Sequence, residues 1–188
     1  MSAAIIEPII LYDDEYPPTG LVAPLEAALL SVSKWFETKG IYVHFATVKT
    51  PRYDHNIDIL TSENPWAQVR DEVPKLGYPV DHKSLVLLRG WYVNHTAYGW
   101  GGNPLALVSG RTLDWLASHG TAEGIMDDNL VAGLIAHEVG HVLGYQHSTE
   151  PGPNVMWHWW LYPEVYFSLD QRASGSFGGA PSACAPLP

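Results

Sequence analysis

The sequence predicts an α/β protein, because short apolar segments with strand character alternate with longer segments of helical periodicity. Isoleucine-rich residues 5–12 and the apolar run 84–88 are the clearest strands. Residues 21–39 carry apolar side chains at helical spacing, and so does the stretch from about 128 to 143. A chain of 188 residues with this pattern is long enough for one compact domain with a substantial core.

The first elements follow from local signals. Residues 5–12 read as a strand, and the Pro- and Gly-containing stretch 13–20 reads as a loop. The helix over 21–39 has one apolar side and a stop at Gly40. Residues 41–48 combine β-branched and aromatic residues with alternation, which predicts a second strand.

The middle of the chain contains shorter segments. Residues 57–60 are either a short piece of pairing or a loop, and residues 66–73 predict a brief helical turn before Pro74. The continuous apolar run 84–88 is typical of a buried central strand. Residues 94–104 contain three glycines and predict a mobile segment, after which 105–108 is another strand candidate.

The densest chemical pattern in the chain is H-E-x-x-H-x-x-G-x-x-H at residues 137–147. Residues four apart lie on one face of a helix, so His137 and His141 can point at a single metal ion. Glu138 lies about 100° further around the same helix, where it can reach a water on that metal. Acidic residues and an asparagine at 127–129 are candidate caps for this helix.

Gly144 predicts the end of the metal-binding helix, because glycine enters the left-handed backbone region without a Cβ penalty. The chain can then turn back and deliver His147 as a third ligand. Three protein ligands leave a fourth position for water, which is the arrangement of a catalytic zinc site. We therefore expect one catalytic Zn²⁺, held by His137, His141 and His147.

These residues resemble the signature of the metzincin metallopeptidases, in which a methionine turn follows the extended zinc motif. Met156 stands nine residues after His147. The resemblance implies that Met156 packs beneath the zinc site as an apolar floor. Within the superfamily, Ser148 after the third histidine, followed by Pro151, is most similar to the matrixins. Beyond this region the resemblance is one of architecture.

The resemblance implies a twisted, mixed five-stranded sheet with a backing helix, a zinc-binding active-site helix and a short C-terminal helix beginning near Ser168. It implies one catalytic domain over residues 1–174, with an N-terminal subdomain to about 144 and a C-terminal subdomain over 145–174. Metzincins place an antiparallel edge strand just before the zinc helix, where the substrate backbone pairs with it. Residues 105–108 are either this edge strand or a plain strand of the sheet. Residues 175–188, rich in Gly, Ser, Ala and Pro, predict a tail.

Zinc chemistry predicts hydrolysis of peptide bonds. The ion lowers the pKa of a bound water to about 7, and Glu138 can take its proton as general base. The expected activity is that of a zinc-dependent endopeptidase acting on protein or peptide substrates. One alternative is a catalytically silent, zinc-containing module that binds peptides. A weaker one is hydrolysis of another amide, such as an amide of a cell wall.

The histidine at position 158, two residues after Met156, differs from the residue found there in the related families. Astacins and serralysins carry a tyrosine at this distance from the methionine, and that tyrosine approaches the metal, whereas matrixins usually carry proline. His158 is therefore a candidate transition-state contact or reserve ligand. The alternative, which we favour, is that it packs among Trp157, Trp159 and Trp160 without touching the metal. These aromatic residues would also suit an apolar specificity pocket.

Composition and charge exclude several classes of function. A hydrophobic content of 46% and an aromatic content of 12% exclude a disordered chain. A net charge of −10 argues against a nucleic-acid partner, and no apolar run is long enough to cross a membrane. Cys184 is the only cysteine, so no intrachain disulfide can form. We expect a monomer.

The first residues of the sequence carry no secretory signal, because they lack a basic start and Glu7 and Pro8 interrupt the apolar run. The protein therefore either stays in the cell or is a secreted protein whose processing is complete. Metzincins usually act outside cells, so the resemblance favours the second reading. We expect neither a second zinc nor a calcium ion. The remaining histidines, including His82 and His95, are scattered, and the acidic residues do not show the spacing of an oxygen cage.

Overall fold

The computed structural model describes residues 3–12, 14, 17–53, 65–78, 82–89, 99–110, 130–147, 155–156 and 182–183. Within these residues the predicted mixture of helices and strands is confirmed. In chain order the elements are β1 Ala4–Leu11, α1 Val22–Thr38, β2 Val43–Phe45, α2 Pro65–Glu72, a 3-10 helix Val73–Leu76, β3 Ser84–Leu88, β4 Gly99–Gly101, β5 Leu105–Ser109, α3 Leu130–Val142 and β6 Ser182–Ala183. None of the helices described here combines the length and apolarity that a bilayer crossing requires.

The strands form one mixed sheet in the order β2-β1-β3-β5-β4-β6. The first four are parallel, with β1 between β2 and β3 and with β5 on the far side of β3. Strand β4 runs antiparallel to β5, and β6 runs antiparallel to β4. The described part of the chain thus has six strands where five were expected, because Ser182–Ala183 adds to the outer side of β4.

Helices cover both faces of the parallel strands, which explains why these strands are apolar without interruption. In β3, Leu85 and Leu87 face one cluster of buried residues while Val86 and Leu88 face the other. The first cluster contains the apolar sides of α1 and α3, and the second contains those of α2 and the 3-10 helix. Helix α1 therefore backs the sheet beside α3.

Residues 105–108 are a plain strand and not the antiparallel edge strand. Strand β5 lies between β3 and β4, parallel to β3, and all five of its residues are buried. Side chains that are apolar on both faces fit only an interior position. The antiparallel strand beside β5 is Gly99–Gly101, which lies within the stretch that the sequence predicted to be mobile.

The remaining predicted elements are either close to the observed ones or lie outside the described residues. The brief helical turn predicted at 66–73 is helix α2, which ends before Pro74, and a 3-10 helix that accepts this proline in its first turn follows directly. Outside the described residues lie the predicted caps at 127–129, the segment 57–60, the closing helix near Ser168, and Cys184. The division into subdomains and a tail stays a prediction.

Candidate metal centre

Helix α3 is held rigidly because most of its described side chains are buried. Leu134, Ile135, Val139 and Val142 belong to the cluster that α3 shares with α1 and the sheet. Fixing the helix against this core fixes the direction of the polar side chains on its other positions. His137 is consequently fully buried, although its imidazole is polar.

The glycine predicted to end the helix does so through a Schellman motif. Gly144 has a positive φ of 96°. The N–H of Tyr145 donates to the carbonyl of Gly140 at 2.9 Å, and the N–H of Gly144 donates to the carbonyl of His141 at 2.9 Å. The chain therefore reverses direction immediately after α3, and His147 comes to lie beside the two helical histidines.

The three predicted ligands meet at one point. The Nε2 atom of His137 lies 3.1 Å from that of His141 and 3.2 Å from that of His147, and the third side of the triangle is 3.1 Å. A tetrahedral ion about 2.0–2.1 Å from each nitrogen requires nitrogen separations of about 3.3 Å. The triangle is close to this size, so the site fits a single Zn²⁺.

Hydrogen bonds on the far side of two rings fix the tautomers that metal binding requires. His141 donates from Nδ1 to the carbonyl of Tyr145 at 2.9 Å, and His137 donates from Nδ1 to the carbonyl of Val155. Each neutral ring then presents a lone pair at Nε2. Two lone pairs 3.1 Å apart repel each other, and a cation bound between the rings satisfies both.

The environment of His141 disfavours its protonated form. Burial of the ring, followed by the nearby His147, lowers the pKa of His141 to about 4, against an opposing hydrogen bond to the carbonyl of Tyr145. A neutral imidazole is the form that binds metal. The site therefore keeps this nitrogen available over most of the physiological pH range.

We expect the metal-free protein to lose stability as the pH falls from 6.5 towards 4. In this window the unfolded chain binds a proton at His141 that the folded chain excludes, so acid favours unfolding. The loss is at most about 3 kcal/mol. Urea denaturation of the chelator-treated protein at several pH values measures this loss of stability. The control is His44→Gln, which removes an exposed histidine and should leave the loss unchanged. An unchanged free energy of unfolding between pH 6.5 and 4 would contradict this assignment.

Glu138 is placed beside this cluster on the same helix. It follows His137 directly, and its side chain is fully buried. A carboxylate in such surroundings is costly, which sets it apart from the acidic residues on the surface. His158, the other candidate for contact with substrate, lies outside the described residues and stays a prediction.

Met156 packs directly against α3. It is 2% exposed, and a Cβ added at Gly140 would lie 2.3 Å from its sulfur. Only a glycine at position 140 leaves room for this approach. The preceding Val155 supplies the carbonyl that accepts the hydrogen bond from His137, so the two residues contact the helix together. The sequence indicated Met156, but nothing in it distinguished Gly140 as its partner.

Two further residues of the centre were not identified from the sequence. Gly101 of β4 lies against the ring of His141, because a Cβ there would be 2.0 Å from the ring Cδ2. Lys83 donates from Nζ to the carbonyl of Val142 at 2.8 Å, which satisfies an end carbonyl of α3 with a positive charge. Burial lowers the pKa of Lys83. The cluster of glycines at 99–102 was the sequence feature that could have indicated Gly101. No feature of the sequence indicated the contact of Lys83 with α3.

Known structures share this architecture. Metalloproteinase-II from Bacteroides fragilis superimposes with a TM-score of 0.50 and 17% sequence identity, covering 87% of this chain. This chain therefore shares the fold of that structure. The chain spans about half the length of that protein, 49%. No model of a known protein family matches the sequence, and no curated protein matches it.

Two further structures are also similar. Archaemetzincin from Methanopyrus kandleri has a TM-score of 0.49 and 17% identity, with 82% of this chain and 81% of that chain covered. A zinc-dependent peptidase from Methanocorpusculum labreanum has a TM-score of 0.42 and 19% identity, with 81% of this chain and 87% of that chain covered.

Proposed function

We propose that this protein is a zinc-dependent endopeptidase that hydrolyses peptide bonds in proteins. One observation supports the proposal above all others: the Nε2 atoms of three imidazoles lie within 3.2 Å of each other, and the helix that carries two of these histidines also carries the buried Glu138. Three nitrogen ligands suit zinc and leave a position open for water. The fold shared with a metalloproteinase agrees with this chemistry.

Each residue of the centre has a proposed role. His137, His141 and His147 would hold the ion, which would supply Lewis-acid polarisation of the substrate carbonyl and of the attacking water. Glu138 takes the proton from this water as general base and passes it to the leaving amine. The carbonyls of Val155 and Tyr145 keep two of the rings in the orientation and tautomer that binding needs.

The finer resemblance to the matrixins is part of the proposal. Met156 is proposed to act as the apolar support of the metal centre, in agreement with its burial against Gly140. His158 is proposed to pack among the neighbouring tryptophans without contacting the metal. The substrate would be a protein or peptide bound by a monomer whose catalytic domain spans residues 1–174.

The test combines a metal analysis with a cleavage assay. We expect one zinc ion per chain, and cleavage of casein and of a fluorogenic peptide library that a chelator abolishes and added zinc restores. Stoichiometric zinc with peptide binding but no cleavage would favour the silent peptide-binding module instead. Cleavage that a chelator leaves unchanged would contradict the proposal. Activity on cell-wall amides alone would change the substrate class.

A further inference from the structure

The outer side of β4 is occupied by the chain itself. On its inner side β4 pairs with β5, and on its outer side Trp100 and Gly101 pair with Ala183 and Ser182. The outer side of such a strand carries N–H and C=O groups that accept one further extended chain. In this structure the accepted chain is β6, which arrives antiparallel.

Strand β4 also lies next to the metal centre. Gly101 touches the ring of His141 so closely that no side chain fits between them. Gly101 is also one of the two residues that pair with β6. A chain paired with the outer edge of β4 is therefore the direct neighbour of the strand that contacts His141. Backbone pairing with a sheet edge is a general way to bind an extended peptide, since it uses groups that every peptide has.

We propose that Ser182–Ala183 occupies the place of a peptide substrate on β4 and thereby inhibits the enzyme in the same chain. The inference rests on the proposed peptidase function. The outward backbone groups of Trp100 and Gly101 can pair with only one extended chain at a time, so β6 and a substrate exclude each other.

The properties of β6 suit a reversible inhibitor. It is only two residues long, and its pairing with β4 covers two residue pairs. Such a short pairing would be too weak to compete as a free peptide. Being part of the same chain raises its effective concentration at the edge, which lets a weak contact compete with substrate.

Proline substitution tests the competition in the full chain. The double variant Ser182→Pro/Ala183→Pro lacks both N–H groups, so pairing is lost whichever residue faces β4. We expect KM for a fluorogenic peptide to fall about tenfold, while kcat stays unchanged. The matched control, Ser182→Val/Ala183→Val, keeps both N–H groups and favours a strand, so its KM should equal or exceed that of the parent. Equal KM values in the proline and valine variants would overturn the proposal.

Hydrogen exchange separates this inference from the peptidase function, because it does not require turnover. Amide exchange at residues 182–183 is followed by mass spectrometry in the parent protein and in the Glu138→Gln variant, with and without a millimolar mixture of casein-derived peptides. We expect the peptides to increase exchange at these residues. Unchanged exchange would overturn the inference. Absence of cleavage in every variant would instead refute the peptidase function, and increased exchange would then still support a shared peptide edge.

Discussion

The Glu138→Gln variant is expected to keep its zinc and to lose peptide cleavage by a factor of about 10²–10⁴. Glutamine has nearly the same shape as glutamate, so the buried position on α3 can accept it without disturbing the neighbouring His137. It cannot take a proton from the attacking water. The change therefore removes the proposed general base and leaves the three nitrogen ligands in place.

The measurement needs both readouts on one preparation. Zinc content per chain reports the ligand set, and kcat/KM on a fluorogenic peptide reports the chemistry. The control is Glu26→Gln, which removes one carboxylate from the exposed side of α1 and should change neither value. Cleavage at the parent rate by Glu138→Gln would exclude Glu138 as the base. Loss of zinc in the same variant would indicate a structural role instead.

The Gly101→Ala variant should lose zinc affinity by about 10- to 100-fold. The added Cβ would lie 2.0 Å from Cδ2 of His141, 2.4 Å from its Cγ and 2.6 Å from its Cβ. The ring cannot swing away, because its Cβ is fixed to α3 and its Nδ1 donates to the carbonyl of Tyr145. Either the His141 ring or strand β4 must shift, and close packing around the site makes both movements unfavourable.

Competition with a chromophoric chelator measures the affinity, and thermal unfolding of the metal-free protein reports any loss of stability. Gly102→Ala is the matched control, since it adds the same methyl group to the next residue. There the nearest atom is a ring carbon of Trp66 at 3.0 Å, which needs to move by only a few tenths of an ångström. Equal zinc affinities in the two variants would show that β4 does not constrain His141.

The parts of the fold that local physics determines were predictable. The buried strand 84–88 matches β3 residue for residue, and the helix expected over 21–39 is Val22–Thr38. The ligand triangle was predictable for the same reason, because two of the histidines lie on one helix and the third follows the turn at Gly144 that ends this helix. Periodicity and a single left-handed glycine carry enough information for this local arrangement.

Contacts between distant segments were not predictable from the sequence. The glycines of 99–102 have no side chains to mark a strand, so the segment read as a loop, although Gly99–Gly101 pairs with β5. Its close approach to His141 becomes visible only when the register of the sheet is known. The pairing of Ser182–Ala183 has no hydrophobic signature at all, because backbone groups alone define it.

The parallel sheet also has a consequence for synthesis on the ribosome. Strand β1 is made early, yet its neighbours on the two sides are β2 at Val43–Phe45 and β3 at Ser84–Leu88. A nascent chain must therefore carry the apolar residues of β1 without a complete set of partners until β3 has emerged. During this interval the segment is exposed to aggregation. We expect chaperone capacity during translation to influence the yield of folded protein.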